Sequence, residues 1–168
     1  GLCDSAAVRA LVAEGPLEIA QLLAWCMRLD RAADGSPALA LEGGHRHARI
    51  VHSDGDATGH ELARCLIERT RATRGVRVFD RCFAVDLLRA SDGSGRVTGA
   101  LTWHPRHGLQ IIWARATVLA SGGAGQVYRE TTNPKVATGD GLAMAWRAGA
   151  ELADLEFFQF HPTALYVA

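Results

Sequence analysis

Two periods run along this chain. Up to residue 74 the apolar residues recur at helical spacing: Ile19, Leu22, Leu23 and Cys26 form one stripe, and Leu62, Cys65, Leu66 and Ile67 form another. From Gly75 the period shortens to two. Val76 and Val78 start a strand; Phe83, Val85 and Leu87, then Val97, Gly99, Leu101 and Trp103, then Leu109, Ile111 and Trp113 continue the alternation. Ser91-Asp92-Gly93-Ser94-Gly95 and Pro105-Arg106-His107-Gly108 supply the turns, which predicts an antiparallel three-stranded meander. Residues 116–120 are then continuously small and apolar, the pattern of a strand covered on both faces in a parallel sheet, and 151–160 reads as a further apolar strand.

Capping and breaking residues bound the helices. Asp4 caps a first helix reaching about Glu14, where Gly15-Pro16 breaks it and opens a second. Residues 28–41 read as irregular, with Asp34-Gly35-Ser36-Pro37 as a turn. Thr58 and Glu61 stand at capping-box spacing before a helix to about Arg74, with Gly75 as its stop. Thr138-Gly139-Asp140-Gly141 precedes a short helix with Leu142, Ala145, Trp146 and Gly149 on one side, and Asp140 is a natural N-cap. Helices, a meander and covered strands together place the chain in the α/β class.

Composition narrows the function classes. The 168 residues are 48% apolar, ordinary for a globular chain, and 18 basic residues balance 18 acidic ones. A chain with no basic field has nothing to hold a phosphate backbone, so nucleic acid is not an expected partner. No apolar run is long enough to span a bilayer and no signal-peptide pattern opens the chain, so a cytoplasmic protein is expected. Cys3, Cys26, Cys65 and Cys82 form no C-x-x-C pair; Cys26 and Cys65 are expected to be buried core residues. His45, His47 and His52, with Asp54 or Asp56, offer a metal reading, but their spacing follows no established ligand pattern and no metal is expected.

Three stretches are suited to holding a ligand. The apolar run ends in Ser121-Gly122-Gly123-Ala124-Gly125, where glycines let main chain approach closely. Asp140 opens a helix between two glycines. Gln159, His161 and Thr163, grouped around Pro162, bring several donors that suit an anion. Each piece also has an ordinary reading, as a turn, a cap or a structural histidine, and the residues alone leave both open.

Taken in order, ASGGAGQVY, TTNP and TGDGLAMAWRAGAELADLEFFQFHPTALY resemble the flavoprotein family of succinate dehydrogenase, fumarate reductase and L-aspartate oxidase, and most of all its aspartate oxidase branch. The resemblance implies a partial Rossmann-like FAD-binding domain of the glutathione-reductase type, with an antiparallel meander and flanking helices. It implies that Asp140 contacts FAD, that Ser121, Gly122 and Gly123 line the cofactor by main chain, that the backbone of Ala84 and Val85 lies beside the adenine, and that Asn133 is nearby. Leu41-Glu42-Gly43-Gly44-His45 resembles the loop whose glutamate faces the substrate's amino group, a place that is apolar in succinate dehydrogenases. By the same likeness Gln159, His161 and Thr163 meet the substrate's carboxylates.

The activity so implied is FAD-dependent oxidation of L-aspartate to iminoaspartate, in the quinolinate branch of NAD biosynthesis, with oxygen or fumarate as electron acceptor. The chain begins at Gly1 without methionine, ends on an apolar stretch, and has no G-x-G-x-x-G after any strand. Residues 1–168 are therefore expected to form the central part of a FAD-binding domain. Its first βαβ unit would lie upstream, and its acid/base arginine and capping domain downstream, so no catalytic residue is expected here. Two alternatives stand beside this: a fumarate reductase or succinate dehydrogenase flavoprotein with the same fold, and a non-catalytic binding domain on a flavoprotein-like scaffold.

Overall fold

The computed structural model describes residues 2–160, so His161 and Thr163 lie outside the described residues. The chain divides into two compact units, Gly1–Val78 and Phe79–Ala168.

The first unit opens with helix α1 (Ser5–Ala24), capped as expected by Asp4, whose carboxylate accepts from the amides of Ala6 at 2.7 Å and Ala7 at 3.2 Å. Gly15-Pro16 does not divide it. Proline removes one amide and crowds one carbonyl, and here a capped 20-residue helix of good formers runs through that local defect. Past its C-cap, Cys26 is exposed with φ 67°, so it is not a core residue; Cys65 is, at 1% exposure, with Sγ 3.4 Å from the Trp25 carbonyl. Asp34 makes the predicted turn, accepting from the Ser36 amide and hydroxyl around Gly35. Two short strands that the alternation did not reveal, β1 (Leu39–Ala40) and β2 (Ile50–Val51), pair antiparallel. They close the base of the polar loop that carries Glu42.

Helix α2 (Thr58–Ala72) follows, but without the expected capping box. The Thr58 hydroxyl accepts from the Ser53 amide, and Glu61 turns to the Arg28 amide at 2.7 Å and the Arg64 guanidinium at 2.6 and 2.7 Å. A charge-assisted fork outweighs the neutral reciprocal bond of a capping box. Arg64 also reaches the Cys26 carbonyl at 3.0 Å, so Glu61 and Arg64 tie α2 to the chain after α1. Glu61 and Cys65 are the buried residues of α2, whereas Leu66 and Ile67 are exposed at 39% and 49%.

Hydrogen bonds from Arg64 and the Arg28 amide lower the pKa of Glu61 from 4.5 to about 2. A carboxyl whose pKa falls on folding stabilises the fold above its unfolded value, and that contribution disappears as pH drops through the folded one. The thermal midpoint is therefore expected to fall between pH 4.5 and about 2, and less steeply in Glu61→Gln. Parallel pH profiles for the two proteins would refute this.

The second unit contains the predicted meander: β3 (Phe83–Arg89), β4 (Val97–His104) and β5 (Gly108–Trp113), in the order β3-β4-β5 and antiparallel throughout. Phe83 faces Trp103 and Leu101 faces Ile111. Residues 76–78, 116–120 and 151–160 form no strand. Apolar alternation makes a strand only where a neighbour completes the ladder, and no described strand lies beside these segments; Val118 is 88% exposed. A 3₁₀ turn (Gly125–Val127) and helix α3 (Asp140–Arg147) complete the unit.

Candidate functional site

The glycine-rich end of the 116–125 stretch and the start of α3 fold onto each other. The Gly139 amide donates to the Gly123 carbonyl at 3.2 Å. Gly141 is buried against Ser121 so closely that a Cβ there would overlap Ser121 Oγ and lie 2.9 Å from Ser121 Cβ. A Cβ at Gly139 would lie 3.1 Å from that of Ala124. The Ser121 and Ala124 side chains thus occupy the space that a Cβ at Gly141 or Gly139 would need, and only glycine lets the two segments come this close, the kind of approach by which main chain can cradle a phosphate or ribose.

Asn133 supports this cradle from the other side. Its side chain fills the place of a Gly125 Cβ, 2.5 Å from Asn133 Cβ, while its amide and Nδ2 both donate to Thr131 Oγ1 at 3.1 Å. Gln126 closes the turn, its amide donating to the Ala137 carbonyl and its Nε2 to the Asn133 carbonyl, each at 2.9 Å. The Ser121-Gly122-Gly123 run, Asn133 and Asp140, in three separate stretches of residues 121–140, are therefore in one place.

Asp140 differs from expectation in one respect. The N-cap of α3 is Gly139, at φ 80°, and Asp140 is the first helical residue. Only glycine takes a left-handed conformation without cost, so the turn claims Gly139 and moves the aspartate one position inward. Its carboxylate accepts from the Thr138 hydroxyl instead of a first-turn amide. The negative charge still stands at the positive end of the helix.

The other end of α3 reaches the meander. Arg147 donates from Nε to Asp86 Oδ2 at 2.9 Å and from Nη2 to the Val85 carbonyl at 3.5 Å. The guanidinium, followed by the Leu87 amide, holds the Asp86 carboxyl below its usual range. Ala84 and Val85 thus lie on the strand to which α3 is fastened. The 61-residue separation of Arg147 and Asp86 explains why no local pattern reveals the pair.

Gln159 is exposed, in a segment held by aromatic contacts: Phe158 and Phe160 stand 4.8 and 5.1 Å from Tyr128, directly after the 3₁₀ turn. Glu42, in the first unit, is also exposed. Its carbonyl accepts from the His45 amide at 3.0 Å across Gly44, whose φ of 81° makes the turn. Of the loop histidines, His52 does not join a metal group; its Nδ1 lies 2.7 Å from Asp30, which also accepts from the amides of Asp54 and Gly55. Those amides, and then His52, lower the Asp30 pKa. Asp30 had no sequence signal, because its partners are 22 to 25 residues away. Among the described residues no cluster of three or more His, Cys, Asp or Glu could hold a metal, and no helix is long and apolar enough to cross a membrane.

Residues 1–168 match the family described as FAD binding domain. The chain is 49% identical to an L-aspartate oxidase of Streptomyces coelicolor over 99% of its own length and 29% of that protein's. It is 47% identical to a chloroplastic L-aspartate oxidase of Arabidopsis thaliana, over 98% of its length and 25% of that protein's. Among solved structures, an E. coli quinol fumarate reductase variant superposes with a TM-score of 0.91 at 36% identity, covering 98% of this chain and 28% of that one. The chain thus spans between a quarter and a third of these three proteins.

Proposed function

The chain belongs to the FAD binding domain family, and from that premise we propose that it is the central part of a FAD-dependent L-aspartate oxidase, a flavin oxidoreductase converting L-aspartate to iminoaspartate in NAD biosynthesis. The observation that carries this reading is the closure of Ser121-Gly122-Gly123 onto Gly139-Asp140-Gly141, an approach so close that a side chain at Gly141 would strike Ser121. Its donor types, main-chain amides and the Ser121 hydroxyl, are those that a phosphate or ribose requires.

In this reading Asp140, held by Thr138, contacts the cofactor, and Ser121, Gly122 and Gly123 line it, with Asn133 bracing the loop and the Ala84-Val85 backbone beside the adenine. When bound, FAD supplies two-electron chemistry, accepting hydride from the α-carbon of L-aspartate. Glu42 offers a carboxylate to the substrate ammonium, while Gln159, His161 and Thr163 offer donors to its carboxylates. A carboxylate matched to the ammonium disfavours a substrate that lacks it. The proton acceptor for the reaction is assigned to no residue of this chain.

The same proposal includes a glutathione-reductase-type sheet arrangement, completed by a first βαβ unit and a capping domain elsewhere in the complete protein. It also includes reoxidation by oxygen or fumarate. A cytoplasmic location is proposed with it, in keeping with four cysteines that are all free. The superposition on a fumarate reductase supports the second reading, a fumarate reductase or succinate dehydrogenase flavoprotein, and Glu42 is the residue proposed to separate the two. The test is stoichiometry: the complete protein is expected to purify yellow with about one flavin per chain, whereas residues 1–168 alone, without a G-x-G-x-x-G phosphate loop, retain little. A colourless complete protein that takes up no added FAD overturns the proposal.

A further inference from the structure

The proposed site leaves Asp86 and Arg147 without a role, yet they are tied to a deliberate irregularity in the sheet. Ala84 faces Thr102 and Asp86 faces Leu101, so Val85 is a bulged residue with none opposite. A bulge re-aims main chain and is found where sheets border sites. This one is fixed from two directions: Asp86 Oδ1 accepts from the Leu87 amide at 2.9 Å, and Arg147 grips Asp86 Oδ2 and the Val85 carbonyl.

Arg147 is the last residue of the helix whose first is Asp140. At a rise of about 1.5 Å per residue the two stand about 10 Å apart along a rigid rod. One end of the rod presses on the Ser121 loop through Gly141, and the other clamps the bulge. The distance between the cradle and the bulged main chain is thereby set by α3 and by the guanidinium fork at its end.

Resting on the FAD reading above, we propose that Arg147 and Asp86 are positioning residues for FAD: by locking the Val85 bulge to the far end of α3, the pair holds that backbone at the reach of the cofactor's adenine while the cradle engages the rest. Neither residue touches the substrate, and neither takes part in the chemical step.

The test uses the complete apo-protein, with FAD affinity followed by flavin fluorescence and the fold by the apo thermal midpoint. Arg147→Gln and Asp86→Asn, which keeps the shape and removes the charge, are each expected to raise the FAD Kd at least tenfold. The apo midpoint stays within a few degrees, and KM for L-aspartate at saturating FAD is unchanged. Arg147→Lys, with a charge but no fork, falls between. An FAD Kd within twofold of wild type in both variants overturns the proposal, as does a loss of affinity that merely follows loss of the apo fold in both. Failure of the wild-type protein itself to bind FAD is a separate result, which removes the underlying FAD reading.

Discussion

Gly141→Ala in the complete protein is expected to weaken FAD binding by about ten- to a hundredfold, with little effect on the KM for L-aspartate once FAD is saturating. The added methyl overlaps Ser121 Oγ and meets Ser121 Cβ at 2.9 Å, so rotating the hydroxyl away does not relieve it. The Ser121 loop has to retreat, but it is tied to the same helix entrance through the bond from the Gly139 amide to the Gly123 carbonyl. Forcing a methyl into such packing costs about 1–3 kcal/mol, and each 1.4 kcal/mol is tenfold in affinity. A fluorescence titration of the apo variant with FAD measures it. An affinity equal to wild type would show that the cradle does not hold the cofactor.

The second large effect concerns substrate choice. Glu42→Gln is expected to lower kcat/KM for L-aspartate by about ten- to a hundredfold, because a hydrogen bond to a charged group contributes about 1.5–3 kcal/mol. Glutamine keeps the shape and loses the charge. Inhibition by succinate, which has no ammonium, should stay the same or tighten, and flavin content should be unaffected. That contrast, steady-state kinetics for the amino acid against inhibition by the diacid, separates loss of an ion pair from general damage to the loop. Equal effects on both ligands would remove Glu42 from substrate recognition.

How much of this the sequence disclosed depended on how local each signal was. The meander was legible because period-two alternation and the glycine turns at 91–95 and 105–108 act within a few residues, and the Asp4 cap for the same reason. Signals that needed a distant partner misled. Residues 116–120 have a strand's composition but no described strand to pair with, and Pro16 carries a breaker's signature inside a helix that tolerates it. Thr58 and Glu61 have the spacing of a capping box, yet an arginine one turn on and an amide 33 residues back claim the carboxylate.

The site shows the same division. The order of its motifs was visible in the chain, and Ser121, Gly122, Gly123, Asn133 and Asp140 were singled out from it. Their convergence was not visible: it depends on Gly141 packing against Ser121 and Gly139 against Ala124, which no periodicity records. Arg147 and Asp86 went unnoticed because a charged residue at a helix end and one in a strand are both ordinary until they meet.

The most direct measurement is of the flavin itself. The complete protein is purified with FAD, its visible absorbance recorded, and L-aspartate added in the absence of oxygen. The flavin band is expected to bleach with L-aspartate and to stay unchanged with succinate. Bleaching by succinate and not by L-aspartate would contradict it and give the chain to a succinate-oxidising flavoprotein.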